Sequence, residues 1–136
     1  MSVSRVLVDS SVWIDHFRAN TTRETASLNG LLREDTALLG DLILLEVLQG
    51  FLTDRLFQIG KDQLLIVPLV DLGGEQMAIA AAENYRFLRS KGITVRKTID
   101  MLIGTYCIAN KIALLHTDRD FDPLEQHLGL RVYRGL

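Results

Sequence analysis

Apolar positions along the chain alternate between short runs typical of buried strands and longer stretches with helical spacing. The short apolar runs predict five strands, at residues 5–9, 36–40, 64–68, 112–117 and 130–134. The stretches between them, with apolar residues every three or four positions, predict helices. Strands that alternate with helices in this way are typical of an α/β fold. We therefore predict a central parallel sheet of about five strands, with helices on both faces.

One predicted helix begins with an acid at the mouth of an apolar segment. Thr98 is a suitable N-cap, which makes Asp100 the second helical residue, where the helix dipole favours a carboxylate. The rest of this helix, through Asn110, is apolar nearly all round and is predicted to be buried. A charged group in that position needs a partner. For an isolated Asp, support of the helix start would be sufficient explanation, but three further acids occupy comparable positions.

Two of these acids close predicted strands, and the third interrupts an apolar helix. Asp9 ends the first strand and Asp118 follows the strand at 112–117, at the edge where parallel sheets bind ligands. Helix capping is the alternative role for Asp9. Glu46 breaks the apolar run of helix 42–50, which predicts that it is partly buried or faces a cavity, with a solvent-facing stripe as the alternative.

The segment after the fourth predicted strand carries two more aspartates. Asp120 either joins the site or is exposed. Asp122 matches the N-cap, Pro123 the first position and Glu125 the third position of a capping box, so Asp122 is assigned a structural role. An EF-hand calcium loop is excluded because its sixth position would be Pro123 instead of Gly, and its twelfth would be Gly129 instead of Glu.

Four acids gathered at one sheet edge would require a cation. Two carboxylates about 4 Å apart repel by several kcal/mol at an effective dielectric near 20, so either protons or divalent cations must relieve them. Ligands that are all oxygen favour Mg²⁺ or Mn²⁺ over Zn²⁺. Such ions clamp a phosphodiester and activate water. The pattern therefore predicts a metal-dependent phosphoryl-transfer or hydrolysis site at Asp9, Glu46, Asp100 and Asp118.

Residues next to these acids are secondary candidates. Ser10 either positions Asp9 or caps the first helix, and Thr117 is a second candidate for supporting the site. His116 lies on a strand without a catalytic partner and is expected to be structural. Basic residues beside the acids are expected to form a solvated face, with contact to phosphates as the alternative: Arg96, Lys97 and Arg119.

Composition leaves the nature of the substrate open. The 136 residues predict one domain, residues 1–136, and the single Cys excludes an internal disulfide. The net charge is −2, but placing four of the 17 acids in a metal site leaves 13 acids against 15 basic residues, which neither favours nor excludes a polyanionic substrate.

No basic-then-apolar leader opens the sequence and no apolar run reaches membrane-spanning length, so we expect a cytoplasmic protein.

Four segments resemble the PIN-domain ribonucleases, and specifically the VapC-type toxins of bacterial toxin–antitoxin modules. They are LVDSSVWI at 7–14, EVLQG at 46–50, YRFLRSKGITVRKTID at 85–100 and LLHTDRDF at 114–121. Each segment is weakly specific alone, but the ordered set runs nearly from end to end of the chain. One departure is Gly104-Thr105, where the family more often has Ala.

The resemblance implies a PIN-like three-layer sandwich and cleavage of RNA. It implies Mg²⁺ or Mn²⁺ held by Asp9, Glu46, Asp100 and Asp118, with Asp120 as a further candidate. It also implies a homodimer, neutralised by a cognate VapB-type antitoxin, and no membrane association.

Two alternatives predict other functions. A receiver-type signalling domain would need adjacent acids after the first strand and a Lys at the end of a late strand, whereas Asp9 is followed by serines and the late strand ends in His116-Thr117. A non-catalytic scaffold of the same fold predicts that the protein with Mn²⁺ leaves every RNA intact.

Overall fold

The computed structural model describes residues 4–135. Its elements in chain order are β1 (Val6–Val8), α1 (Ser10–Phe17), α2 (Arg23–Arg33), β2 (Ala37–Gly40), α3 (Asp41–Gln49), α4 (Asp54–Leu64), β3 (Leu69–Val70), α5 (Glu75–Ser90), α6 (Thr98–Asn110), β4 (Ala113–Leu115), a 3₁₀ turn (Arg119–Phe121) and α7 (Asp122–Leu128). The predicted domain, residues 1–136, extends beyond the described residues at both ends. Within them, no helix has the length and apolar character needed to cross a membrane.

The strands form a parallel sheet in the order β3-β2-β1-β4. Leu7 in the central strand lies opposite Leu38 on one side and Leu114 on the other. Every residue of β1 and β2 is buried. Because successive side chains of a strand point to opposite faces, complete burial means that helices cover both faces of the sheet. The predicted α/β fold with a parallel sheet is confirmed.

The predicted fifth strand at 130–134 is reduced to a single parallel bridge between Val132 and Leu114. The backbone N–H of Leu114 donates to the Arg131 carbonyl at 2.9 Å, and that of Tyr133 donates to the Leu114 carbonyl at 2.8 Å. Arg134, two residues beyond Val132, forms an ion pair with Glu125 of α7. Residues 4–135 therefore contain four strands instead of about five.

The predicted strand at 64–68 is wrong. Helix α4 continues to Leu64, which is buried, and a turn follows in which Leu65 and Ile66 are 64% and 83% exposed. The strand itself, β3, comes only after Pro68. A short apolar run is compatible with either a helix end or a strand, and here the amphipathic pattern of α4 prevails.

The connection from α5 to α6 sets the position of the acid at the start of α6. Gly92 stops α5 as predicted, with φ +78°. Lys97 is the N-cap of α6 and Thr98 its first helical residue, so the predicted cap at Thr98 is one residue too late. Asp100 is consequently the third helical residue, and its backbone N–H donates to the Lys97 carbonyl at 3.1 Å.

Helix α6 packs tightly between its neighbours. A Cβ on Gly104 would overlap the Leu124 side chain of α7, so the small residue permits a close approach of the two helices. On the other side, the Asn84 amide of α5 donates to the Thr105 hydroxyl at 3.0 Å. These contacts hold the acidic start of α6 at the sheet edge.

Candidate metal centre

Asp9 both caps a helix and presents a free oxygen. It is the N-cap of α1, and its Oδ2 accepts from the Ser11 backbone N–H at 3.1 Å and from the Ser11 hydroxyl at 2.6 Å. Its Oδ1 is buried and has no hydrogen-bond partner among the described residues. Burial raises the pKa of Asp9 by more than the Ser11 hydrogen bonds lower it. The two roles considered from the sequence are therefore compatible, since each needs a different oxygen.

The pKa of Asp100 is strongly raised by its surroundings. The residue is 4% exposed, and its buried Oδ2 has no partner within residues 4–135. Burial, followed by repulsion from Asp9 and Asp118, raises its pKa to about 7. Near neutral pH this carboxyl group is consequently only partly ionised unless a cation is close to it.

Glu46, on α3, is half-buried and faces the same acids. Its Oε1 accepts from the Ser10 hydroxyl at 3.1 Å. Burial raises the pKa of Glu46, and the charges of Asp9 and Asp118 raise it further. The Ser10 hydroxyl therefore supports Glu46, which differs from both roles considered for Ser10 from the sequence, positioning Asp9 and capping the first helix.

Asp118 follows β4 and has a partner for each oxygen. Oδ1 accepts from the Asp120 backbone N–H at 2.9 Å, and Oδ2 accepts from the Lys97 ammonium at 3.0 Å. Its own N–H donates to His116 Nδ1 at 3.1 Å. Burial raises the pKa of Asp118, but the Asp120 N–H and the Lys97 ammonium outweigh it and hold the pKa below its ordinary value.

Asp120 lies with the cluster instead of pointing away from it. One carboxylate oxygen each from Asp100, Asp118 and Asp120 come within 4.8 Å of one another. Asp9 and Glu46 lie close enough for their charges to raise the pKa of Asp100. The four predicted acids and Asp120 thus meet at one edge of the sheet, and their role as metal ligands stays a prediction.

Ser11 is a functional candidate that the sequence analysis did not assign to the site. Besides donating to Asp9, its hydroxyl accepts from the Thr117 backbone N–H at 3.2 Å, which ties the ends of β1 and β4 together. Thr117 was predicted to support the site. It does so through its backbone, and its side chain is exposed. The serine pair directly after a strand-ending Asp is the sequence signal for this contact.

The predicted capping box at the start of α7 is wrong. Phe121 occupies the N-cap position and makes no side-chain cap, so Asp122 is already helical, with Pro123 in the first turn. Glu125 does not reach back to the helix start, because both of its oxygens accept from the Arg134 guanidinium, at 2.9 and 3.0 Å. A bidentate partner from the chain end takes the place of the local hydrogen bond.

A protein-family model described as PIN domain matches residues 6–125, which include all five acids. The chain belongs to the PIN-domain family. Ribonuclease VapC11 of Mycobacterium tuberculosis is 30% identical over 128 residues, which cover 93% of this chain and 96% of that protein. The predicted family resemblance is confirmed, and the receiver-type alternative is set aside.

Solved structures share the fold of this PIN domain at low sequence identity. VapBC2 from Rickettsia felis, bound to a DNA fragment from its promoter, has a TM-score of 0.73 at 16% identity, covering 94% of this chain and 96% of that one. DNA-bound VapBC from Salmonella typhimurium also has a TM-score of 0.73 at 16% identity, covering 96% and 98%.

The donor set of this PIN domain fits a hard divalent cation. The three converging ligand atoms are all carboxylate oxygens, which suit Mg²⁺ or Mn²⁺. Two further observations favour a cation here: the buried Oδ1 of Asp9 and the buried Oδ2 of Asp100 lack partners among the residues described. Buried charged oxygens without a partner carry a large desolvation cost, which a bound cation offsets.

Proposed function

We propose that this protein is an Mg²⁺- or Mn²⁺-dependent endoribonuclease that hydrolyses RNA phosphodiesters as the toxin of a type II toxin–antitoxin module. The observation that carries the proposal is that one buried oxygen each of Asp9 and Asp100 has no partner in the described part of the chain, beside the converging carboxylates of Asp118 and Asp120. Its relatives support the substrate, because the similar mycobacterial proteins are named ribonucleases.

Five acids would hold the cation: Asp9, Glu46, Asp100, Asp118 and Asp120. When bound, the ion supplies charge neutralisation at the phosphate and a lowered pKa of coordinated water. Asp100 becomes fully ionised on binding a cation, because a nearby positive charge lowers the pKa that burial has raised.

The other residues of the site hold these acids in position. Ser10 binds one oxygen of Glu46, which leaves the second oxygen free to orient the attacking water. Ser11 keeps Asp9 directed inward while joining it to the end of β4. The Asp120 N–H fixes one oxygen of Asp118, and the other, which the Lys97 ammonium contacts, is the one that would bind the cation. Each contact reduces the reorganisation that would otherwise accompany the reaction.

The proposal includes a protein partner. The solved structures with this fold include VapBC assemblies from Rickettsia felis and Salmonella typhimurium. By analogy, a cognate VapB-type antitoxin would neutralise this chain, which would form a homodimer and act in the cytoplasm, where its RNA substrate is.

Replacement of Asp100 tests the proposal. Wild type, Asp100→Asn and the control Asp54→Asn, which changes an exposed Asp in the first turn of α4, are induced briefly, and new RNA ends are sequenced. We expect wild type and Asp54→Asn to arrest growth and create discrete RNA ends. Asp100→Asn should lose both, with cleavage by the purified protein in Mn²⁺ slowed on the order of a thousandfold, because several kcal/mol of transition-state stabilisation are lost.

The outcome that contradicts the proposal is equally specific. If purified wild type with Mn²⁺ leaves total RNA intact, or if Asp100→Asn cuts as fast as wild type, the non-catalytic scaffold is the better account.

A further inference from the structure

Lys97 is the one basic residue that the structure pairs with an acid of the cluster. Residues 4–135 contain two ion pairs, Lys97 with Asp118 and Arg134 with Glu125, and only the first lies at the metal centre. Lys97 Nζ is 3.0 Å from Asp118 Oδ2. Its charge also acts on Asp100 and Glu46. Lys97 thus partly neutralises the acids that would otherwise repel one another.

The ion pair is not needed to position Asp118. The other oxygen of that carboxylate accepts from the Asp120 N–H at 2.9 Å, and the backbone N–H of Asp118 is bound to His116. Asp118 is therefore held by the backbone around it, and removing the ammonium leaves these contacts in place.

Lys97 also lies on the solvent side of the cluster. Its side chain is 57% exposed, whereas Asp9 and Asp100 are buried. Its backbone is fixed as the N-cap of α6, while the four-carbon side chain remains free to reorient. An exposed ion pair of this kind contributes little, because water and salt screen it, so it does not withstand competition from a divalent cation for the same oxygen.

We propose that Lys97 is a displaceable counterion: it occupies Asp118 in the metal-free protein, leaves when that carboxylate binds a divalent cation, and then contacts the RNA phosphate next to the bond that is cut. The second half of the inference rests on the proposed ribonuclease function. Lysine suits the task because it binds phosphate as a mobile point charge and does not require a fixed bidentate geometry. Its exposed position places it where a substrate would arrive.

Metal binding tests the displacement without RNA. Mn²⁺ is titrated calorimetrically into wild type, Lys97→Met, Lys97→Arg and Lys111→Met. Lys111 is a matched control because it lies at the opposite end of α6, about 20 Å away along the helix. We expect Lys97→Met to bind Mn²⁺ more tightly, by up to about fivefold, because a competing charge is lost. Lys97→Arg and Lys111→Met should bind as wild type does. Unchanged or weaker binding by Lys97→Met would overturn the displacement.

Cleavage of total bacterial RNA at saturating Mn²⁺ tests the phosphate contact. We expect Lys97→Met to cut about tenfold more slowly at low RNA concentration, because it loses one charge-assisted contact. The slope of log rate against log salt should also fall by about one. Lys111→Met should retain the wild-type rate. A Lys97→Met variant that cuts at the wild-type rate would overturn the contact. Tighter Mn²⁺ binding together with slower cleavage would distinguish the proposal from a merely structural role of Lys97, which does not produce that combination.

Failure of the proposed function gives a different result. Wild type that binds Mn²⁺ yet cuts no RNA contradicts the ribonuclease proposal and, with it, the phosphate contact. The calorimetric comparison of Lys97→Met with wild type still decides the displacement.

Discussion

The inner acids of the metal centre, Asp9 and Asp100, and its outer acid, Asp118, have pKa values that are shifted in opposite directions. Asp9 and Asp100 are almost completely buried, each has an oxygen without a partner among residues 4–135, and their pKa values are raised. Asp118 lies at the same sheet edge with a side chain that is 23% exposed, both of its oxygens are bonded, and its pKa is lowered. The same residue type at one site therefore differs in pKa because burial and the available donors differ.

This contrast separates two requirements of a metal centre. Some acids must respond to an incoming cation, and another must already be held in its ionised form by the protein. The inner acids have little to offset their charge and should respond strongly to a cation from outside. Asp118 already has a backbone donor and the Lys97 ammonium, so the protein stabilises its ionised form without help. Both requirements can be tested through the free energy of unfolding.

Metal should produce the largest change. With Mn²⁺ at one hundred times its dissociation constant, mass action adds about 2.7 kcal/mol to the free energy of unfolding, which corresponds to a rise in Tm of about 8 °C for a domain of this size. Asp100→Asn should lose most of this rise, while Asp54→Asn keeps it. Thermal unfolding followed by circular dichroism measures both. An equal rise in Asp100→Asn would show that the ion binds elsewhere.

The pH dependence of the metal-free protein should give the next largest effect. Because the folded pKa of Asp100 is raised to about 7, its contribution to stability is greatest below about pH 4 and is lost as the pH rises through about 7. Asp100→Asn lacks this loss. As the pH rises from about 4 to about 7, the free energy of unfolding of Asp100→Asn should therefore rise relative to that of wild type. The expected difference is about 2 kcal/mol, after allowance for solvent screening at the mouth of the site.

A comparison of the two proteins is necessary because other groups titrate in the same interval. Burial lowers the pKa of His116, so this residue makes stability rise with pH. It is present in wild type and in Asp100→Asn, and its contribution largely cancels in the difference. Urea denaturation at a series of pH values with EDTA present measures that difference. A difference that does not change with pH would contradict the raised pKa of Asp100.

Asp9 offers a smaller and more selective test. Asp9→Asn keeps an oxygen that can accept from Ser11 and removes a repelling charge, so metal-free stability should be unchanged or slightly higher. Asp9→Ala removes the cap as well and should cost about 1 kcal/mol. Chemical denaturation of both variants without metal separates the two oxygens of Asp9. A clear loss in Asp9→Asn, which keeps the capping oxygen, would contradict the charge repulsion assigned to Asp9 in the metal-free protein.

The sequence predicted the positions of these acids better than their partners. Strand ends and helix starts follow from apolar patterning, so the sequence alone predicts that Asp9, Asp100 and Asp118 lie at one edge of the sheet. Hydrogen bonds such as those from Ser10 to Glu46 and from Lys97 to Asp118 depend on side-chain rotamers and on residues far apart in the chain. No periodicity in the sequence encodes these contacts.

Two of the errors in local structure have the same origin. The apolar run at 64–68 matched a strand, but α4 buries Leu64 as part of its own amphipathic face. The capping box at Asp122 matched its motif, but the Glu125 carboxylate accepts two hydrogen bonds from the Arg134 guanidinium instead of one from the helix start. In both places a contact between distant parts of the chain outweighed the local preference.

The most direct test of the central claim is the position of a bound ion. Crystals soaked in Mn²⁺ and measured near the manganese absorption edge should show an anomalous peak within coordination distance of Asp100 and Asp118, with Lys97 Nζ no longer bonded to Asp118. A peak remote from this edge of the sheet, or an intact Lys97–Asp118 pair with no ion among the five acids at saturating Mn²⁺, would contradict the account.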